Sequence, residues 1–232
     1  MFQPSKFPRV PILCYVTDRK ALASVGDDQI EALLKRLSTA AAAGIDWIQL
    51  REKDLSGKEL ASLTRAAVAQ TKQINEGNGT LTRIIVNDRL DVALSEHSGG
   101  VHLGEHSLPV HDVCKWLAAK PDLAERDKFL VGVSCHSVQA ALSAARAGAD
   151  YIFFGPVFAT PSKASFGAPQ GLQRLAEACS AVTIPVLAIG GITLDNACDC
   201  FAAGVGGIAA IRLLQDAENL SALVTDIRAL FP

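Results

Sequence analysis

Apolar runs of strand length alternate with longer segments in which Leu and Ala recur every third or fourth position, and the alternation continues from one end of the chain to the other. Short apolar runs read as buried strands and the three-to-four spacing as amphipathic helices, so the pattern predicts parallel strands joined by crossover helices. The strands fall at Ile12–Thr17, Trp47–Arg51, Thr82–Val86, Gly100–Leu103, Phe129–Val133, Tyr151–Phe154, Val186–Ile189 and Gly207–Ile211. Helical segments between them include Gln29–Ala43, Leu60–Gln73, Val138–Ala147, Leu172–Ser180 and Asn196–Ala203.

The joints repeat as well. Ala43-Gly44-Ile45-Asp46, Ala147-Gly148-Ala149-Asp150 and Ala203-Gly204-Val205-Gly206 each place a glycine where a helix ends before a short turn and a strand, and Ser98-Gly99-Gly100 is a looser fourth copy. The polar stretch Asn75–Thr80 reads as a loop, and no Pro/Gly/Ser-rich linker divides the chain. The fold class expected is α/β: a (β/α)8 TIM barrel with a parallel eight-stranded closed sheet. It would form one domain over residues 1–232, with residues 1–10 as an N-terminal extension; a doubly wound open sheet is the alternative. The length of 232 residues suits a barrel, which typically takes about 250. Gly204-x-Gly206-x-x-Ala209 mimics a dinucleotide fingerprint but leaves a helix and enters a strand, the reverse of what that motif needs.

Composition narrows the partners. Hydrophobic residues at 49% supply a core, and 22 Lys+Arg against 24 Asp+Glu leave a net charge of −2, which argues against nucleic acid as the main partner and leaves small anions open. No stretch reaches the about 20 apolar residues of a membrane span, and no signal-peptide core follows Met1. Six cysteines, Cys14, Cys114, Cys135, Cys179, Cys198 and Cys200, are too irregular for a disulfide framework and read as thiols of a cytoplasmic protein. Cys198-Asp199-Cys200 lies in a helical pattern without a second ligand pair, which weakens a metal reading. Asn78-Gly79-Thr80 is then a plain turn.

A barrel builds its active site where the strands end at their C-terminal face. There the chain presents Gln49-Leu50-Arg51-Glu52-Lys53, Asn87-Asp88, Ser134-Cys135-His136, a loop from Gly155 to Lys163 that includes Thr160 and Ser162, and Gly190-Gly191. Arg and Lys suit phosphate oxygens, and paired glycines let backbone N–H groups approach an anion. Asp88 supplies one hard oxygen ligand, and magnesium commonly needs only one or two carboxylates beside phosphate oxygens and water. The set fits a phosphorylated or pyrophosphorylated substrate. Structural alternatives stand beside each signal: Arg51, Glu52 and Lys53 as an ion-paired strand end, Asn87-Asp88 as a helix cap, Gly190-Gly191 as a tight turn. His102, His106 and His111 raise zinc, but their spacing puts no ligating pair on one helix face.

In order along the chain, Tyr15-Val16-Thr17-Asp18, Gln49-Leu50-Arg51-Glu52-Lys53, Val86-Asn87-Asp88-Arg89, Val101-His102-Leu103-Gly104, Gly132-Val133-Ser134-Cys135-His136, Gly155-Pro156-Val157-Phe158 and Ala188-Ile189-Gly190-Gly191-Ile192 resemble the thiamine-phosphate synthase family of (β/α)8 enzymes, with its related branch of thiazole tautomerases. The resemblance implies a transferase that joins 4-amino-5-hydroxymethyl-2-methylpyrimidine diphosphate to thiazole phosphate and releases pyrophosphate. By position it assigns Gln49, Arg51, Lys53, Asn87, Ser134 and Lys163 to the pyrimidine diphosphate, with Arg51, Lys53, Ser134 and Lys163 acting on the leaving pyrophosphate. Asp88 would bind Mg2+. Thr160, Ser162 and Gly190-Gly191 would hold the thiazole phosphate, with Ile211 and Arg212 beside it. The sequence departs from the family at two places: Ser107 stands where a second metal-binding Asp is usual, with Glu105 and His106 as near substitutes, and Arg212 stands where a Ser usually meets the thiazole phosphate. These departures, and His136 at the position of the tautomerases' proton-transfer group, keep a thiazole tautomerase and a non-catalytic precursor-binding barrel as alternatives. The partners implied are the two phosphorylated substrates, with no nucleic acid, no membrane and room for a homo-oligomer.

Overall fold

The computed structural model describes residues 11–22, 28–104, 106–120, 129–160 and 168–231. Eight parallel strands, β1 (Ile12–Val16), β2 (Trp47–Leu50), β3 (Arg83–Asn87), β4 (Gly100–Leu103), β5 (Leu130–Cys135), β6 (Tyr151–Phe154), β7 (Val186–Ile189) and β8 (Gly207–Ala210), pair in sequence order and close on themselves. Closure is explicit at Cys14, which stands opposite Trp47 on one side and Ala209 on the other. Around the sheet run α1 (Gln29–Ala42), α2 (Gly57–Asn78), α3 (Leu90–Ser95), α4 (Val110–Ala118), α5 (Val138–Arg146), α6 (Gly171–Ala181), α7 (Leu194–Ala202), α8 (Arg212–Gln215) and α9 (Leu220–Ala229). The barrel expectation holds and the open sheet is excluded.

Several local expectations shift. The second helix starts before Leu60, because Ser56 accepts from Glu59 N while Glu59 Oε2 accepts from Ser56 N at 2.8 Å, a reciprocal cap. It then absorbs Asn75–Asn78, expected as loop. Asn75 is polar because it fastens the returning chain: its Nδ2 donates to Thr82 O at 2.9 Å and its Oδ1 accepts from Thr82 N at 3.0 Å. The glycine joints at Gly44, Gly148 and Gly204 have left-handed φ as expected, but in the fourth joint His97, at φ 52°, takes that conformation in place of Gly99 or Gly100.

Period two along the strands divides the core into two shells. Ile12, Cys14, Val16, Trp47, Ile85, Leu130, Tyr151, Phe153, Leu187 and Ala209 fill the interior; the alternate positions, such as Leu13, Ile48, Val86 and Ile152, pack on the helices. Rings meet within the interior, with Trp47 and Tyr151 4.5 Å apart and His102 and Phe153 4.2 Å apart. Gly132 makes room for this plug: a Cβ there would lie 2.0 Å from Tyr151 Cζ. Below the plug, Arg228 of α9 ties the N-terminal face together, donating to Pro11 O, Gly44 O and Asp46 Oδ2 at 2.8 to 2.9 Å.

Candidate active site

The same period two that fills the interior sends the last inward residue of each strand into the mouth. Gln49, Asn87, Ser134 and Ile189 occupy that position, and Ile211 just beyond β8 packs against the interior cluster. The polar ones form two hydrogen-bonded chains. In the first, Gln49 Nε2 donates to Asn87 Oδ1 at 2.8 Å and Asn87 Nδ2 donates to Asp88 Oδ2 at 2.8 Å. Asp88 Oδ1 accepts from Gly104 N at 3.1 Å and from Ser107 Oγ. Asp88 stands at φ 62°, a turn that Asp tolerates better than most residues. Asn87 and Asp88 therefore do not cap the next helix, whose N-cap is Arg89 and lacks any side-chain cap bond; their side chains are committed to the mouth.

The second chain starts deeper. Tyr151 Oη lies 3.2 Å from His102 Nδ1, and His102 Nε2 lies 2.9 Å from Ser134 Oγ. His102 is 2% exposed, so it fixes Ser134 from below; burial holds the Tyr151 phenol protonated, well above the usual tyrosine range. Of the three histidines raised for zinc, His102 is hydrogen-bonded inside the barrel and His106 and His111 are exposed. Among the described residues no group of three or more His, Cys, Asp or Glu could hold a metal ion. Cys198 and Cys200 lie on exposed and buried faces of α7, and none of the six cysteines forms a disulfide.

The β2 end corrects another reading. Glu52 does not pair with Arg51 or Lys53; it is buried against Arg19, Nη1 to Oε2 2.9 Å. Arg51 is half-buried and Lys53 exposed, and neither takes part in an ion pair among the described residues. Lys53, Asn87 and Asp88 border a cavity of about 300 Å³ whose other walls are Leu50, Glu52, Leu55, Leu60 and Arg89.

On the opposite rim the β6 loop is stitched to the β7 turn by Val157 N to Ile189 O at 2.9 Å and Phe158 N to Gly190 O at 3.0 Å. His136 Nδ1 meets Gly155 O on the same loop. Gly190 and Gly191 have φ of 94° and 67°, and a Cβ on either would come within 2.7 Å of Pro156, Phe158 or Ala159 atoms. The glycines are needed for this tight turn and for the close approach of the two loops. Thr160 lies at the edge of the described stretch; Glu105, Ser162 and Lys163 lie outside the described residues. Arg212, the first residue of α8, is exposed, so its side chain does not fill the interior.

His102, Thr17, Arg19 and Glu52 are supports that the sequence reading did not place. His102 was recoverable, since strand alternation puts it inward between Gly100 and the mouth; the Arg19–Glu52 pair joins positions whose meeting depends on how two loops fold over.

An eight-stranded barrel whose C-terminal mouth gathers an Arg, a Lys, a hydrogen-bonded carboxylate and a glycine turn defines a class, the enzymes that act on small anionic substrates at the strand ends. A family profile described as thiamine monophosphate synthase matches residues 13–214, and the chain belongs to that family. It is similar to the thiamine-phosphate synthase of Methanoculleus marisnigri, 42% identical over 93% of each chain, and to that of Chlorobium luteolum, 39% identical over 91% of this chain and 89% of the other. A thiamine phosphate pyrophosphorylase structure from Pyrococcus furiosus matches with a TM-score of 0.72 and 30% identity over 94% of each chain. A 3-hexulose-6-phosphate synthase structure, 16% identical with a TM-score of 0.63 over 95% of this chain and 99% of the other, shares the fold alone. The chain is accordingly an enzyme of the transferase type, a thiamine-phosphate synthase.

Proposed function

We propose that the mouth couples 4-amino-5-hydroxymethyl-2-methylpyrimidine diphosphate to thiazole phosphate, with the diphosphate on the β2–β3 side and the thiazole phosphate on the β6–β7 side. The observation that carries this division is the hydrogen-bonded row Gln49, Asn87 and Asp88 at the ends of β2 and β3, on the side of the barrel away from the Gly190-Gly191 turn that follows β7.

When the methylene C–O bond breaks, its electron pair leaves with pyrophosphate and positive charge develops on the methylene carbon, spread into the electron-rich aminopyrimidine. The thiazole nitrogen then supplies its lone pair to that carbon. No protein nucleophile is required. Arg51 and Lys53, which enter no ion pair among the described residues, stabilise the leaving group more as its charge grows, and so lower the barrier. Gln49, Asn87 and Ser134 bind and orient the diphosphate-bearing substrate, and His102 holds Ser134 in place. Lys163 completes the set in our reading. Thr160, Ser162 and the glycine turn receive the thiazole phosphate, with Ile211 as an apolar wall and Arg212 at the rim.

Asp88 fits a magnesium ion carried on the substrate: it is one carboxylate held by neutral donors, with Ser107 Oγ as a second oxygen, and one or two such ligands suffice when phosphate and water fill the rest. Bound there, the metal would neutralise diphosphate charge. Six cysteines without a disulfide support a reducing compartment, which we take to be the cytoplasm; no helix among the described residues is long and apolar enough to cross a membrane.

Purified protein given both precursors should form thiamine phosphate with magnesium and lose that activity with a chelator, read by mass spectrometry; Asp88→Ala should need far more magnesium. Product formation untouched by both changes would overturn the metal assignment. Absence of product, with thiazole phosphate still bound, would overturn the coupling reading at this mouth.

A further inference from the structure

A carboxylate between two cations that receive an anion is an electrostatic liability, and Arg51-Glu52-Lys53 contains one. Glu52 borders the cavity beside Lys53, Asn87 and Asp88, where an unpaired carboxylate would neutralise its neighbours and repel a diphosphate. It is only 5% exposed, and both oxygens are engaged by Thr17 and Arg19. Oε1 accepts from Thr17 Oγ1 at 2.6 Å and from Arg19 N at 3.2 Å; Oε2 accepts from Arg19 Nη1 at 2.9 Å.

The connections run on to both sides of Glu52. Thr17 Oγ1, while donating to Glu52, accepts from Arg51 N at 2.9 Å. Arg19 also reaches Asp54 with Nη1 and Nη2 at 2.7 Å each, and Lys20 Nζ joins Asp54 at 3.0 Å. Those bonds hold the Asp54 carboxyl well below the usual carboxylate range. The β1 loop is itself anchored, since Gln215 Nε2 donates to Asp18 O at 3.0 Å and Gln215 Oε1 accepts from Tyr15 Oη at 2.9 Å. The β2 loop is thus pinned at residues 51, 52 and 54 to a fixed neighbour, and Lys53 projects from between the pins.

We infer that Glu52 is a positioning residue of the diphosphate site: clamped by Thr17 and Arg19, its carboxylate sets the direction of Arg51 and Lys53 while its own charge is met by Arg19. The inference rests on the reading that Arg51 and Lys53 receive the diphosphate. A hydrogen-bonded carboxylate whose partners are a hydroxyl, a backbone N–H and a guanidinium is replaced by no other side chain without leaving a buried donor unmet.

The test is a double-mutant cycle. Glu52→Ala should lower kcat/KM for the pyrimidine diphosphate by about 100-fold, the scale of a 1 Å misplacement. It should weaken inhibition by inorganic pyrophosphate and leave the KM for thiazole phosphate within about twofold, since the β6–β7 rim does not touch the clamp. In an Arg51→Ala background the same substitution should do much less, because the group it positions is gone. Thr17→Val, which keeps the volume and removes the hydroxyl link, should reproduce the selective loss, and Thr17→Ser should restore function; this pair keeps the test decisive if Glu52→Ala folds poorly. Full additivity with Arg51→Ala, or an equal rise in both KM values, would overturn the positioning role. If Arg51→Ala itself left diphosphate and pyrophosphate binding unchanged, the site reading beneath it would fall instead, and the inference with it.

Discussion

Gly191→Ala puts the geometry of the thiazole-phosphate rim to a quantitative test. Gly191 sits at φ 67°, and the added methyl would come 2.7 Å from both Ala159 O and Phe158 Cβ. An alanine in left-handed conformation costs about 1–2 kcal/mol, and forcing a methylene into a filled space costs about 1–3 kcal/mol more. Gly44→Ala is the matched control: its φ is 81°, yet nothing lies within 4 Å of the new atom, so it carries the conformational cost alone. The difference between the two variants isolates the packing term. At about 2–4 °C per kcal/mol for a chain of this size, Gly191→Ala should melt roughly 2–12 °C below Gly44→Ala in a thermal scan. The obstructing atoms are backbone and Cβ of the β6 loop, which must give way and carry Thr160 with it. The KM for thiazole phosphate should therefore rise by about tenfold or more, since small displacements of a binding group are costly, while Gly44→Ala keeps wild-type kinetics. Equal melting temperatures and unchanged KM would show that the two loops do not meet as closely as the structure has them, and the argument for this rim would fail.

Other outcomes follow from supports outside the mouth. Arg228→Met keeps bulk but removes a guanidinium that satisfies two carbonyls and Asp46, all far from it in sequence; a loss of about 3 kcal/mol is expected, seen as a lower urea midpoint at unchanged slope, and an equally stable variant would refute the clamp. Burial pushes the Cys135 and Cys200 thiols from 9.0 up to about 12. The folded state thus holds these protons more tightly than the unfolded one, so their contribution is complete below pH 9 and is lost as pH rises from 9 to about 12, at up to about 1.4 kcal/mol per pH unit for each thiol. Cys135→Ala should therefore show a shallower alkaline decline in urea midpoint than the unmodified chain, and identical declines would contradict the burial argument.

The alternation of short apolar runs with three-to-four-spaced helices determined parallel strands joined by crossover helices, because each element's burial need is written in its own period; that the sheet closes rather than stays open was decided by the pairing of β1 with β8. Which residues reach the mouth was legible for the same reason: Gln49, Asn87 and Ser134 are strand-terminal positions on the inward parity. What those residues then bond to was not. Asn87-Asp88 read equally well as a helix cap until the β4 loop brought Gly104 and Ser107 against Asp88, a contact decided by how neighbouring strands align. Arg51, Glu52 and Lys53 read as one charge cluster because adjacency in sequence suggests adjacency of charge. The charge of Glu52 is met instead by Arg19, which only the folding of the β1 loop supplies. Gly190-Gly191 announced a special turn, but the reason both must be glycine lies in the β6 loop that packs across them. Periodicity is a local property carried by each segment's own side chains; the partner of a buried charge is a property of two loops at once, and it exists only after the sheet has closed.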